Sequence, residues 1–331
     1  MKKFIDSPAS VLDTSLQGFA KAHADIVQLH TEPNYLARKQ RKQHKVALIS
    51  GGGSGHEPLH SGFVGYGMLD AACPGQIFTS PTPDQMLEAA QAVDGGAGVL
   101  FIVKNYAGDV MNFEMAAEML EMHEMPSATV LVNDDVSLPK DHAIGRRGVA
   151  GTTIVEKIVG AAAEQGYDLP ACKALGERVV QATASIGVAL TSCTVPALGH
   201  PTFDIAVDEM EMGVGIHGER GRETGKLVSA SEIIKQLAGH IHDELNPPAG
   251  QRVLLHVNGF GGTPLVELHL MYELAWQYWN KRGLTIERSL VGNFTTSLDM
   301  AGCSLTLTLL DDEMLRLWDA PVNTAALRWG C

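Results

Sequence analysis

The sequence predicts an α/β protein of two domains: an N-terminal α/β/α layered domain with a central sheet over residues 1–183, and a smaller C-terminal α/β domain over 184–331. Three observations carry this. Short apolar runs alternate with helix-period segments through the first half, as in layered α/β folds. The rhythm changes near residue 185, where a new apolar run leads into the Pro- and Gly-bearing connector "TVPALGHPTF". A length of 331 residues also suits two domains of ordinary size.

Taken in order, "VALIS" (46–50) reads as a buried strand that enters the glycine loop "GGGSGHEP". In "SPTPDQMLEAAQAV", Thr82 can cap a helix, Pro83 takes its first position and Gln85 completes a capping box. Met86, Leu87, Ala90 and Val93 then share one face. "GVLFIV" (98–103) is a second strand leaving into "KNYAGD", and "ATVLVN" (128–133) a third leaving into "DDVSLP". Helices fit 112–122 and 151–165. Past the boundary, "SIGVALTSC" and "RVLLHV" (252–257) read as strands. The latter runs into "NGFGGTP" and a helix with Leu265, Leu268, Tyr272, Ala275, Trp276 and Trp279 at helical spacing. "SLTLTLL" (304–310) alternates like a half-buried strand. The strand–glycine–helix units at 46–62 and 253–275 suggest similar local architecture without being a sequence repeat.

Composition narrows the function. A net charge of −13 argues against nucleic acid, because phosphates repel an acidic surface. Five cysteines without a CxxC pair fit reduced thiols in a cytoplasmic protein. The basic tip "MKKFIDSPAS" has no apolar stretch behind it, so no signal peptide is expected, and no run approaches the ~18 residues of a membrane span.

The glycine loop misses three nucleotide or nucleophile patterns. A P-loop needs a Lys that "GGGSGHEP" lacks, and both GxGxxG and GxSxG fail where His56 stands. "HEPLH" matches the HExxH of zinc proteases, but four glycines precede His56 and Pro58 suits only a helix's first turn. No metal is expected. Glycines at a strand end instead let backbone N–H groups approach a small polar ligand, and Lys104 and Asp109 leave the next strand toward the same edge. His56, Asp109 and Lys104 around such a pocket suit a polyhydroxy or carbonyl compound, with His or Asp as base. On spacing alone, Lys104 and Asp109 read also as ordinary solvated loop residues. His217, between Gly215 and Gly218, reads as a structural histidine or as an accessible imidazole. The pair Asp134–Asp135 reads as a strand-end turn.

Longer blocks are more specific. "SGGGSGHEPLHSGFVGYGML", "ACPGQIFTSPTPDQ", "VKNYAGDVMNFEMA", "GRRGVAGT", "EMGVGIHGERG" and "RSLVGNFTTSLDMAGCSLTL", in this order, resemble the dihydroxyacetone kinase K-subunit family over nearly the whole chain. The resemblance implies a triose held covalently as a hemiaminal on His217. It implies that His56 and Asp109 assist proton transfer and that Gly53, Ser54, Gly55 and Lys104 complete the pocket. It further implies a homodimer that binds no nucleotide itself. A separate L-type subunit would carry ADP or ATP with magnesium, recharged by a phosphotransferase-system phosphoprotein. Because the K-type region runs nearly to "LRWGC", the resemblance is to the stand-alone K type, expected to lack the all-helical nucleotide domain of single-chain relatives, and "HIHDELNPPAGQRV" is short where some relatives carry an insertion. Two alternatives stay open: a ketose-sensing transcriptional coactivator, and a kinase subunit for a four-carbon ketose such as erythrulose.

Overall fold

The computed structural model describes residues 2–331. In chain order the elements are α1 (Val11–Ala22), β1 (Val27–His30), β2 (Tyr35–Arg38), β3 (Ala47–Ser54), β4 (Gly65–Tyr66), β5 (Ala71–Ile77), α2 (Pro83–Val93), β6 (Val99–Lys104), α3 (Ala107–Met122), β7 (Ser127–Val132), α4 (Gly151–Glu164) and α5 (Leu169–Gln181). Then follow β8 (Thr183–Ala189), β9 (Glu209–Met212), β10 (Glu223–Lys226), α6 (Ala230–Leu245), β11 (Arg252–Gly259), α7 (Leu265–Asn280), β12 (Thr285–Gly292), β13 (Gly302–Leu309), α8 (Asp312–Asp319), β14 (Val322–Thr324) and β15 (Arg328–Trp329).

The chain forms two compact units, and neither is contiguous. One comprises Lys2–Val132, Thr152–Val179 and Met314–Cys331; the other comprises Asn133–Gly151 and Val180–Glu313. One crossing, at 179/180, falls near the expected cut at 183. Residues 133–151 and 314–331, however, each belong with the unit on the other side of that cut.

The first unit holds a six-stranded sheet of order β1-β2-β5-β3-β6-β7, in which β5, β3, β6 and β7 are parallel and the β1–β2 hairpin is antiparallel. Alternate residues Ile49, Phe101 and Val103 bury against Met86, Ala90 and Val93 of α2 and Phe113, Ala116 and Leu120 of α3. Leu87, expected on that buried face, is only partly covered. Gly176 of α5 lies so close to Val130 of β7 that an added Cβ would stand 2.7 Å from its Cγ2. A small antiparallel sheet, β15-β14-β4, joins the last residues to the segment after β3.

The second unit holds the sheet β10-β9-β8-β13-β11-β12, antiparallel except for β11 beside β12. Its apolar face packs under α6 and α7 through Leu237, Ile241, Leu268, Ala275 and Trp279. Leu265 and Trp276, placed on the same helix face by spacing, are exposed instead. β13 is buried almost throughout rather than half-buried, because it lies between β8 and β11. Its alternation survives as two dry faces. Leu305 and Leu307 enter the core, while Thr306 and Thr308 pair with the hydroxyls of Ser185 (2.7 Å) and Thr183 (2.8 Å).

Two further expectations change. The glycines after "VALIS" are not a loop: Gly51, Gly52 and Gly53 continue β3 in register with Cys73, Pro74 and Gly75 of β5. Also, β3 leads into a short 3-10 turn at Ser61–Phe63, whereas β11 leads into the full helix α7, so the two glycine units differ locally.

Candidate functional site

In open α/β sheets a crevice forms where successive strands diverge to either side of a central one. Here β5 lies on one side of β3 and β6 on the other. The chain leaving β3 therefore meets the chain leaving β6 at such a point. Gly53, Ser54, Gly55 and His56 stand at the first exit, Lys104 and Asp109 at the second. The structure brings these six sequence-predicted residues into one unit.

The glycines have a packing reason. A Cβ on Gly51 would stand 2.5 Å from the Cys73 carbonyl oxygen, and one on Gly53 would stand 2.6 Å from the Thr79 nitrogen. A Cβ on Gly52 would fall on the Lys104 ammonium. Bare backbone thus lets the 78–79 segment and the Lys104 side chain lie against β3. Phe78 is held at φ 55, unusual for a bulky residue, and its ring stacks on His56 with centroids 5.0 Å apart and planes 16° apart. Ser54 Oγ donates to the Gly75 carbonyl at 2.7 Å, and the Gly55 N–H donates to the Glu57 carboxylate at 3.0 Å. Residues 57–60 form turns rather than a helix, so "HEPLH" does not present two histidines one helical turn apart.

Lys104 is the last residue of β6 and has no exposed surface. Its Nζ lies 2.9 Å from His60 Nε2, 3.4 Å from the Gly51 carbonyl and 3.6 Å from Asp109 Oδ2. Asp109, in the first turn of α3, is buried where the helix dipole favours negative charge. Ser80 Oγ donates to its other oxygen, Oδ1. Gly108 makes room for this: a Cβ there would stand 2.8 Å from Ser80 Oγ. Behind Lys104, His60 Nδ1 lies 2.5 Å from Glu156 Oε1 of α4. Burial, then the Lys104 and His56 charges, push the His60 imidazole well below its ordinary range. Burial raises the Glu156 carboxyl well above its ordinary range, against the opposing pull of Lys104.

His217 belongs to the other unit, in the loop after β9, and is partly exposed. Its N–H donates to Glu219 Oε2 at 2.8 Å. Arg147 Nη1 donates to Glu219 Oε1 at 3.0 Å, and Arg147 Nη2 donates to the Gly213 carbonyl at 2.8 Å. Asp135 orients that guanidinium through Nε at 2.8 Å. The flanking glycines are there for this tight loop. A Cβ on Gly218 would stand 2.7 Å from Cys193 Sγ, and one on Gly215 would run into the Glu219 carboxylate. Asp134, expected in a turn, accepts from the Val149 and Gly151 N–H groups at 2.8 and 2.7 Å and anchors the start of α4.

Several polar residues escaped the sequence reading: Ser80, the His60–Glu156 pair and the Arg147–Glu219 brace. Their partners lie 29, 96 and 72 positions apart. The one signal available is the placing of Glu156 within the apolar run "TTIVEKIVGAAA". Among the described residues, no group of three or more His, Cys, Asp or Glu side chains could hold a metal ion, and no helix is long and apolar enough to cross a membrane.

The arrangement is a buried carboxylate flanked by an ammonium and a hydroxyl, with an imidazole stacked at the neighbouring strand exit. Such a set can take a proton from a hydroxyl. Residues 17–326 match the Dak1 domain. The chain is 48% identical to "PEP-dependent dihydroxyacetone kinase, dihydroxyacetone-binding subunit DhaK" of Escherichia coli, covering all of both chains. It is 47% identical to "PTS-dependent dihydroxyacetone kinase 1, dihydroxyacetone-binding subunit DhaK" of Listeria innocua, covering 98% of this chain and 100% of that one. Among solved structures, "Dihydroxyacetone kinase operon co-activator Dha-DhaQ" superposes with a TM-score of 0.90 at 32% identity, over 95% of this chain and 97% of that one. With likeness running from end to end in sequence and in fold, this chain belongs to the Dak1 family.

Proposed function

We propose that this chain is the dihydroxyacetone-binding subunit of a phosphoenolpyruvate-dependent dihydroxyacetone kinase. The observation that carries this reading is the 48% identity over the full length of a subunit so named. The site chemistry supports it. His217 adds through a ring nitrogen to the ketone carbon. The carbonyl π pair moves to oxygen, which gains a proton as the ring gives one up, leaving a neutral hemiaminal. Glycerol has no carbonyl and is refused at this step.

His56 and Asp109 are the proton-transfer residues in this reading, with Gly53, Ser54, Gly55 and Lys104 completing the pocket. A neutral hydroxyl is a poor nucleophile, and a positioned base contributes ~10²–10⁴-fold to its attack on phosphorus. The rest of phosphoryl transfer depends on alignment and charge. ADP or ATP with magnesium belongs to a separate L-type subunit, recharged by a phosphotransferase-system phosphoprotein, and the K-type chain works as a homodimer. The packing of β3 supports placing the nucleotide elsewhere. The space over Gly51–Gly53 is filled by Cys73, Lys104 and the 78–79 backbone, so it is no phosphate cradle.

A coactivator that binds ketose without phosphorylating it is the second reading, favoured by the TM-score of 0.90 to a protein so described. One experiment separates them. Intact-mass spectrometry after incubation with dihydroxyacetone, and in parallel with erythrulose, reports the adduct, and an assay with an L-type partner reports phosphorylation. The kinase reading expects an adduct lost in His217→Ala, turnover with the partner and none without it. Adduct without turnover would leave the coactivator reading. An adduct surviving in His217→Ala would remove the covalent anchor.

A further inference from the structure

We propose that His60 and Glu156 are positioning residues of the same site, a buried dyad that fixes the Lys104 ammonium so that it holds the Asp109 carboxylate in place for proton transfer. The inference rests on Asp109 acting as proposed above. Four groups form one chain inside the first unit: Glu156, His60, Lys104 and Asp109, with exposures of 0%, 5%, 0% and 2%.

Donor and acceptor chemistry fixes the roles. A lysine ammonium has only donors. His60 Nε2, 2.9 Å from Nζ, must therefore accept. A neutral imidazole accepting on Nε2 carries its proton on Nδ1, and that N–H points at Glu156 Oε1, 2.5 Å away. Glu156, whose burial favours the neutral carboxyl, accepts this N–H through Oε1 and thus selects the tautomer. The depressed basicity of His60 agrees with the neutral form. With one ammonium N–H committed to His60 and a second to the Gly51 carbonyl at 3.4 Å, Nζ is held 3.6 Å from Asp109 Oδ2, at ion-pair distance. Gly52 belongs to the device, since any side chain there would occupy the Lys104 Nζ position.

Neither His60 nor Glu156 is asked to touch substrate. Their loss should disturb the chemical step more than binding. Glu156→Leu and His60→Phe, assayed with the L-type partner, are expected to lower kcat about tenfold or more, short of the ~10²–10⁴-fold of losing the base itself. KM for the triose should change little, and the ketose adduct on His217 should persist. Glu156→Gln keeps an acceptor oxygen toward Nδ1–H and should retain most of the activity. A purely structural pair would lower thermal stability while leaving the kcat of the folded fraction unchanged. That result, or equal damage from Gln and Leu at 156, would overturn the proposal.

A second measurement does not depend on turnover. In ¹⁵N-histidine-labelled protein, His60 should remain the neutral Nδ1–H tautomer between pH 5.5 and 8, and Glu156→Gln should preserve that signature. A cationic ring or an Nε2–H tautomer overturns the dyad whatever the kinase assay shows. Failure of wild-type adduct formation and turnover, with the tautomer as expected, would instead count against the kinase reading alone.

Discussion

At Gly51 and Gly52 two identical methyl groups meet different neighbours. The Gly51 Cβ would press on the carbonyl oxygen of β5, which moves only with its strand, whereas the Gly52 Cβ would press on the flexible end of Lys104. Gly51→Ala should therefore cost about 1–3 kcal/mol of stability, read from urea unfolding. Gly52→Ala should cost less stability yet impair phosphoryl transfer the more, because Lys104 is displaced. Equal stability losses with intact activity in Gly52→Ala would contradict this. His56→Ala and Asp109→Asn should both keep the ketose adduct while turnover falls by roughly 10²-fold or more. Loss of the adduct in either would move that residue from proton transfer to binding. His256, buried in β11, donates Nδ1–H to the Leu290 carbonyl, and burial lowers its pKa to about 4 from 6.5. The unfolded chain takes up a proton between these values that the folded chain refuses. Stability at this residue is complete above pH 6.5 and declines as pH falls toward 4, by about 3 kcal/mol in total. Urea midpoints at pH 7.5 and 4.5 should separate more in wild type than in His256→Asn.

Among the elements, α2 shows most plainly how a local signal becomes a tertiary tie. Gln85 accepts from the Thr82 N–H at 2.9 Å, closing the capping box. Its amide then donates to the Asn34 carbonyl at 2.6 Å and the Pro74 carbonyl at 3.0 Å. Gln85→Ala strands three backbone groups and should cost roughly 2–3 kcal/mol in urea unfolding, well beyond a helix-propensity effect. A loss under ~0.5 kcal/mol would mean water replaces all three. The capping box was legible because its spacing lies within one turn. β3, β6, β7, β8, β11 and β13 were legible as apolar runs. β5 was not: Pro74 and Gly75 argue against a strand, and only the bare backbone of Gly51–Gly53 opposite makes that pairing possible. α6 carried readable caps, Ser229 at its start and left-handed Asn246 at its end, but a mixed-polarity body. His56, Lys104 and Asp109 stand beside strand exits, which made them candidates, although spacing alone did not separate Lys104 and Asp109 from solvated loop residues. His60 and Glu156 depend on a contact across 96 positions, which a single sequence does not encode locally.

For the molecule as a whole, the interleaving of the two units matters more than their number. The first unit takes α4, α5 and the final eighteen residues back from beyond the second. Those last residues supply β14, which pairs with both β4 and β15, and the Leu317 carbonyl, which accepts from buried Lys157 at 2.8 Å. Residues 1–183 expressed alone should not give a cooperative thermal transition. Adding 314–331 in trans should restore protection to amides of β4, measured by hydrogen exchange. A sharp transition in 1–183 alone would show that the tail is dispensable. The same β4–β14 pairing carries a consequence for synthesis. On the ribosome, β4 emerges roughly 250 residues ahead of the strand that completes its sheet, as the positions of the two strands show. Near residue 66 the nascent chain must wait until β14 emerges, and the Leu317 carbonyl that accepts from Lys157 is unmade until then as well. The unit that begins first is the last to close, so a stalled or truncated message yields a chain whose earliest-made half is also its least finished, and quality control would meet exposed core there rather than at the break.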